Sequence, residues 1–234
     1  MISIFIPVRK GSKRVKNKNT RKFGNYKLGL LEIKIKQLKK LKDINNNKFN
    51  FEFVVSTDSK KVQNYCKKYN WIKIHKRSKD LSGDHSLQRL INIIPKICSG
   101  NHILWTHVTS PLFTSKDYMS FLNIFFKQKQ GKFSSAFSAD AIQKFIFSSN
   151  KGWVSHNTNK IKWPRSQDLK ELYIMNSAAM IAHKNTFLHE KDRISKNCFP
   201  IKTKNKAGLD VDTIEDFKKL YNYKIKLSKT LTII

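Results

Sequence analysis

Cysteine is scarce in this chain. Three thiols occur in 234 residues, Cys66, Cys98 and Cys198, with no CxxC pair among them. They cannot all pair, so they read as reduced thiols in a cytoplasmic protein. Long apolar runs are also missing, which leaves no candidate for a bilayer-spanning helix. The chain opens directly on a short apolar strand, so no signal peptide is expected. Acidic residues are few: 16 Asp and Glu stand against 47 Lys and Arg, a net charge of +31. Such an excess suits a nucleic-acid binder, yet no helix-turn-helix, RNA-recognition or zinc-finger pattern accompanies it. The lysines are scattered through every segment instead of gathering in one arm. We read them as compositional drift over solvated faces and expect no nucleic-acid partner. The rival reading, a basic nucleic-acid-binding protein, would show salt-dependent, sequence-blind RNA binding. On either reading the field draws anionic ligands toward the chain. There are no internal repeats and no long low-complexity tails.

What is present begins at the N-terminus. Ile2-Ser3-Ile4-Phe5-Ile6-Pro7-Val8 is a short, β-branched run that suits a strand buried on both faces. The loop after it, Arg9 to Asn19, has the ingredients of a phosphate cradle. Gly11 permits a sharp backbone turn, Ser12 adds a hydroxyl, and Arg9, Lys13 and Lys18 add positive charge. A solvated basic loop is the plain alternative, and the spacing is not a P-loop. Further along, apolar periodicity predicts helices at 28–41, 59–69, 88–98 (with Pro95 bending or ending it), 115–129 and 214–223, and one starting near 184. Strands are expected at 51–57, 71–75, 103–108, 133–139 and 173–182, with short pieces at 145–148 and 153–155, while the 199–202 segment carries no assignment. Alternating strands and helices imply a mainly parallel sheet with helices on both faces. In such sheets ligands bind beyond the carboxyl ends of the strands. The length suits one sizeable core.

Several segments carry a resemblance in chain order. Arg9-Lys10-Gly11-Ser12-Lys13 with Lys18-Asn19, Val54 to Asp58, Arg77 with Leu81 to Ser86, Thr109-Ser110-Pro111-Leu112, Pro164 to Gln167, Asn176 to Ala179 and Asp210-Val211-Asp212-Thr213 together resemble the acylneuraminate cytidylyltransferases. The resemblance implies a Rossmann-like fold of the nucleotide-diphospho-sugar transferase type. It also implies transfer of CMP from CTP to a nonulosonic, sialic-acid-like sugar, with Mg²⁺ as cofactor. By resemblance, Arg9, Gly11, Ser12, Lys13, Lys18, Asn19, Arg77, Ser86 and Gln88 bind the nucleotide. His107, Lys144, Arg165, Gln167 and Asn176 are the candidates for the acidic sugar. The family also implies a single domain over 1–234 whose segment at about 140–175 makes a homodimer. That segment carries Phe145, Phe147, Trp153 and Trp163, more aromatic surface than a solvated loop needs. Lys10, Met180 and Pro200 depart from the sialate pattern but leave the nucleotide half intact. Kdo enzymes carry a Q-G-D-E motif where this chain has His107-Val108-Thr109-Ser110, which ranks Kdo below the nine-carbon acids. A sugar-1-phosphate nucleotidyltransferase would show a G-x-G-T-R-type loop, which is absent.

Asp210 and Asp212 are the sharpest catalytic candidates, alongside Arg9 and Lys13 as charge stabilisers. In an extended segment alternate side chains share a face, with Cα atoms roughly 6–7 Å apart, which suits two oxygen ligands on one Mg²⁺. Asp212, Thr213 and Glu215 also read as a helix cap, and the two roles are compatible. Asp58 is open between a helix cap and a ligand contact.

Overall fold

The structure, a computed structural model, describes residues 1–12, 14–83, 86–128 and 133–228. Strand β1 (Ile2–Pro7) lies in the middle of a seven-stranded sheet, because its side chains are apolar on both faces. Ile2, Ile4 and Ile6 point into one core and Phe5 into the other, the period-two alternation of a strand covered on both sides. Helix α1 (Gly29–Ile44) crosses to β2 (Phe51–Thr57), and α2 (Lys60–Cys66) leads to β3 (Ile72–Lys76). Helix α3 (Leu87–Ile97) then carries the chain to β4 (His102–Trp105), on the opposite side of β1. Helix α4 (Ser115–Gln128), β5 (Ser135–Ile142), the small hairpin β6 (Phe147–Ser148) and β7 (Gly152–Trp153), β8 (Leu172–His183), β9 (Cys198–Lys202) and α5 (Ile214–Ser228) follow.

The strand order is β3-β2-β1-β4-β8-β5-β9. Only β8 runs against the rest: β1 pairs in parallel with β2 and β4, β2 with β3, and β5 with β9, whereas β8 is antiparallel to both neighbours. Strand order reverses between β1 and β4, so a crevice opens beyond their carboxyl ends. Leu30, Leu38, Phe121 and Phe125 of α1 and α4 fill one face, and Leu90, Ile91 and Ile94 of α3 fill the other.

Some expected boundaries shift, for identifiable reasons. The strand predicted at 103–108 ends at Trp105, because the Thr106 hydroxyl bonds to the Ala178 carbonyl (2.7 Å) and the Tyr118 hydroxyl (2.5 Å). The helix expected from 184 is a single π-helical turn, Thr186–Glu190. Pro95 lies inside α3, two residues before its end, and does not terminate it earlier. Ser59, not Asp58, caps α2 by accepting from the Val62 N–H (3.5 Å).

Candidate active site

The crevice at the β1–β4 switch holds a cavity of about 590 Å³, within the range of small-molecule sites. One wall is the loop after β1. Gly11 sits at φ 83°, where any side chain would be strained, so the turn requires glycine. Two polar ties hold the loop: the Lys10 N–H donates to Asp58 Oδ1 (2.7 Å), and Asn19 Nδ2 donates to the Arg9 carbonyl (3.2 Å). Asp58 is thus a brace for the loop. Arg9, Ser12, Lys18 and Asn19 face the cavity as expected, while Gly11 lines a smaller adjoining hollow that Arg9 and Ser12 share. Lys13 lies outside the described residues.

Arg77, just past β3, reaches the same cavity. Its Nε donates to Ser56 Oγ (2.9 Å), yet Nη2 is buried with no hydrogen-bond partner among the described residues. Burial pushes this guanidinium down to about 10, with Arg9 adding to the effect and Asp58 opposing it. A buried donor without an acceptor is a built-in demand for an anion. Ser86, at the start of α3, also lines the cavity.

Opposite the basic wall stand Asp210 and Asp212. Asp212 accepts from Lys18 Nζ (2.6 Å) and pairs with Arg14 (3.1 Å). Burial alone would raise its carboxyl, but the Lys18 hydrogen bond and the two cations outweigh that and hold it below the usual carboxylate range. Helix α5 is capped one residue later: Asp216 Oδ2 accepts from the Thr213 N–H (2.9 Å) and the Asp212 N–H (3.0 Å), and Thr213 Oγ1 accepts from the Asp216 N–H (3.2 Å). The Asp212 side chain is therefore free of capping duty. Asp210 Oδ1 is buried without a partner among the described residues. An orphaned carboxylate oxygen beside a second carboxylate is a donor set that fits a hard divalent cation completed by ligand phosphates. No cluster of three or more His, Cys, Asp or Glu residues that could hold a metal ion gathers among the described residues.

Two devices hold these carboxylates in place. The Val211 N–H donates to the Thr109 carbonyl (2.8 Å), which hangs the segment on the Thr109-Ser110-Pro111 turn. That turn is gripped from α1: Lys34 Nζ donates to the Ser110 carbonyl (2.9 Å) and the Tyr118 hydroxyl (2.7 Å), and Gln37 Nε2 to the Pro111 carbonyl (2.6 Å). The second device is Gly208, where a Cβ would sit 2.2 Å from Asn176 Nδ2 and 2.6 Å from Asp140 Oδ1. Asn176 is wholly engaged there. Its Oδ1 accepts from Ser138 Oγ (2.5 Å), and its Nδ2 donates to Asp140 (3.2 Å). The structure thus puts Asn176 into the support of the carboxylate segment, and its neighbour Ser177 lines the cavity.

His107 does face the cavity. Its Nε2 accepts from the Trp105 indole N–H (2.7 Å), so the ring proton belongs on Nδ1. Burial, followed by the charges of Arg193 and Lys18, drives its pKa down to about 3, and the ring is neutral. The other expected sugar contacts lie elsewhere. Lys144, Arg165 and Gln167 are exposed on the 140–175 excursion, and Arg165 already forks onto Asp168 (2.7 and 3.2 Å). Gln88 is outside the cavity wall; its Nε2 donates to the Lys191 carbonyl (2.6 Å). Arg14, Lys34, Trp105 and Gly208 escaped the sequence reading, since no local pattern ties them to the site.

Against known proteins, the family described as Cytidylyltransferase matches residues 3–229. The chain belongs to the cytidylyltransferase family. N-acylneuraminate cytidylyltransferases of Streptococcus agalactiae, strains NEM316 and 2603 V/R, are 29% and 28% identical to it over 171 residues, 71% of this chain and 41% of theirs. The chain thus spans about two-fifths of the length of those relatives. Among solved structures, it is similar to CMP:2-keto-3-deoxy-manno-octonic acid synthetase complexed with CTP (15% identity, TM-score 0.65, 96% of this chain and 98% of that one). A second is the 4-diphosphocytidyl-2C-methyl-D-erythritol synthase of Anaerococcus prevotii (13% identity, TM-score 0.64, 96% of both chains). These likenesses show the fold alone, an α/β sheet flanked by helices.

Proposed function

We propose that this cytidylyltransferase joins CMP from CTP to the anomeric hydroxyl of a nonulosonic, sialic-acid-like sugar and releases pyrophosphate. One observation carries the reading: a basic loop, a buried guanidinium with an unmatched donor, and a buried carboxylate oxygen with no partner converge at one sheet edge. A triphosphate with a divalent cation satisfies all three at once. Arg9, Lys18 and Arg77 offset phosphate charge, and Lys13 belongs to the same loop. Asp210 and Asp212 would hold Mg²⁺, which when bound neutralises charge on the phosphate oxygens. The sugar hydroxyl attacks the α-phosphorus, the bond to the β-phosphate oxygen breaks, and the hydroxyl proton leaves to solvent. His107, neutral and carrying Nδ1–H, offers the sugar a hydrogen-bond donor. The relatives named N-acylneuraminate cytidylyltransferase support the sugar class. No helix among the described residues is long and apolar enough to cross a membrane.

The test is pyrophosphate release with CTP against sialic, legionaminic, pseudaminic and Kdo acids, beside calorimetry with CTP, UTP, ATP and GTP. We expect CTP to bind most tightly and a nine-carbon acid to be the best acceptor. Equal binding of all four nucleotides would remove the cytidylyl reading, and Kdo as the only acceptor would replace the sugar.

The same reading includes a homodimer built on residues 140–175. Phe147 and Trp163 are 63% and 66% exposed there, and the rings of Trp153 and Trp163 lie 5.7 Å apart. An exposed aromatic cluster of this kind suits a two-fold interface. Arg165 and Lys144 do not line their own protomer's cavity, and on this reading one of them contributes to the partner's sugar site. Light scattering at micromolar concentration should give a dimer. Mixing Arg165→Ala and Asp210→Asn protomers should restore activity through one intact composite site. A monomer removes the dimer, and a dimer whose mixtures stay inactive removes the shared site.

A further inference from the structure

Strand β3 lies at the edge of the sheet, and its basic residues alternate with apolar ones. Ile72 and Ile74 pack into one core. Lys73, His75 and Arg77 (just past the strand) share the other face. Lys73 is spent at the far end of the strand, on Glu52 (3.3 Å). His75 and Arg77 converge on one atom. His75 stands opposite Ser56 in the register, with Nδ1 2.9 Å from Ser56 Oγ, and Arg77 Nε donates to the same oxygen (2.9 Å).

The proton count fixes the direction of that contact. Ser56 is fully buried, and its hydroxyl has one hydrogen to give. Its oxygen already accepts from Arg77 Nε, and the acceptor that its hydrogen meets among the described residues is His75 Nδ1. A buried hydroxyl without an acceptor would be costly. The bonds therefore run from Arg77 Nε–H to Ser56 Oγ–H to His75 Nδ1, with the imidazole proton on Nε2. Burial, with the charges of Arg77 and Lys73, lowers the His75 pKa and agrees with a neutral ring. Ser56 serves the opposite wall too, because its carbonyl accepts from the Val8 N–H (2.9 Å), directly before Arg9.

We infer that His75 is a positioning residue for the nucleotide, fixing the Arg77 guanidinium through Ser56 so that Nη2 meets an anionic oxygen, an inference that rests on the placing of CTP beside Arg77 above. With Nε held, the planar guanidinium keeps one heading, and its buried, unmatched Nη2 is preorganised for a ligand. The groups that hold it are neutral. Asp58 favours the Arg77 charge, yet no ion pair joins Arg77 to a carboxylate among the described residues, so the cation is not spent on the fold. A carboxylate at position 75 would bring a counter-charge to Arg77, and a valine would leave the Ser56 hydroxyl without an acceptor. A neutral histidine accepts one hydrogen and adds no charge.

The test is calorimetry of CTP binding to the full chain, beside steady-state rates with CTP varied. The variants are His75→Phe, His75→Asn, Ser56→Ala, Arg77→Met and the double variant His75→Phe/Arg77→Met. Phenylalanine keeps a ring on the strand and removes the acceptor, while asparagine restores an acceptor oxygen near the place of Nδ1. Arg77→Met should weaken CTP binding roughly 10–100-fold, the range for hydrogen bonds to a charged group. His75→Phe should weaken it about 3–10-fold, the range for one ordinary hydrogen bond, through KM for CTP and not KM for the sugar. Ser56→Ala should lose as much, and His75→Asn should recover most of the loss. In the Arg77→Met background His75→Phe should cost nothing further, because no guanidinium is left to hold. Additive losses in the double variant would overturn the inference alone, as would wild-type CTP affinity in His75→Phe and Ser56→Ala. Equal weakness in His75→Asn and His75→Phe would do the same. Undiminished CTP affinity in Arg77→Met would remove the nucleotide from Arg77, and a wild type that binds no CTP would overturn the cytidylyl reading; either result takes this inference with it.

Discussion

Asp210→Asn should lower turnover with CTP about 10²–10³-fold, the scale on which a preorganised charge contact contributes to a transition state. The melting temperature should hardly move. Asp210 Oδ1 is buried and unmatched among the described residues, so the folded chain gains no hydrogen bond from it that the amide would forfeit. Asp212→Asn should behave alike: its pairs with Lys18 and Arg14 stand at a carboxylate 38% exposed, where ion pairs contribute little to stability. Asp216→Ala is the contrast. It removes the acceptor of three bonds at the start of α5 and should lower stability by about 1 kcal/mol, as lost caps do. Its turnover should survive. Thermal melts and steady-state rates on the three variants, at limiting and saturating Mg²⁺, check this. Full turnover in Asp210→Asn at limiting Mg²⁺ would remove the metal role.

These carboxylates were legible in the sequence because Asp210-Val211-Asp212-Thr213 is a local, ordered pattern and extended backbone alternates its side chains. Strand β1 and its loop were legible for the same reason: apolar alternation is local, and a glycine among cations marks a turn. The cap of α5 was half legible. Thr213 belongs to it, but its reciprocal partner is Asp216, three residues on, while Asp212 faces the cations. Asn176 shows where sequence fails. Its side chain satisfies Ser138 and Asp140 of β5 and Thr203 just past β9, and that choice depends on sheet order, not on the surrounding residues. Helix α1 misleads most. Its lysines fall between apolar residues at helical spacing and look solvated, yet Lys34 is fully buried because the Ser110 turn and Tyr118 close over it.

Lys34→Met tests that burial, and its effect should depend on pH. Burial pushes the Lys34 ammonium down to about 7, although Asp117 and Asp210 oppose the shift. In the unfolded chain the same group titrates near its ordinary 10.5. Between those values the unfolded chain binds a proton that the folded chain does not, so raising pH through this window favours folding. Below 7 both states carry the charge, and the fold bears the full cost of hiding it. Methionine has no such titration but leaves the Ser110 carbonyl without its donor, a loss of about 1–3 kcal/mol for a buried acceptor. The stability of the wild type relative to Lys34→Met should therefore grow as pH rises from 7 toward 10.5, and shrink or reverse near pH 6. Activity should fall at every pH, because the loosened turn no longer fixes Thr109, and with it the Val211 N–H that holds Asp210 and Asp212 in the cavity. The fall should appear in kcat and in the Mg²⁺ requirement, with less effect on CTP binding, which the opposite wall governs. Chemical denaturation of both proteins across pH 6–10, with Mg²⁺ titrations of the rate, checks the two halves separately. A stability difference that stays constant across that range would show that Lys34 titrates in the fold as it does in the unfolded chain. An unchanged Mg²⁺ requirement would show that the turn does not position the carboxylates.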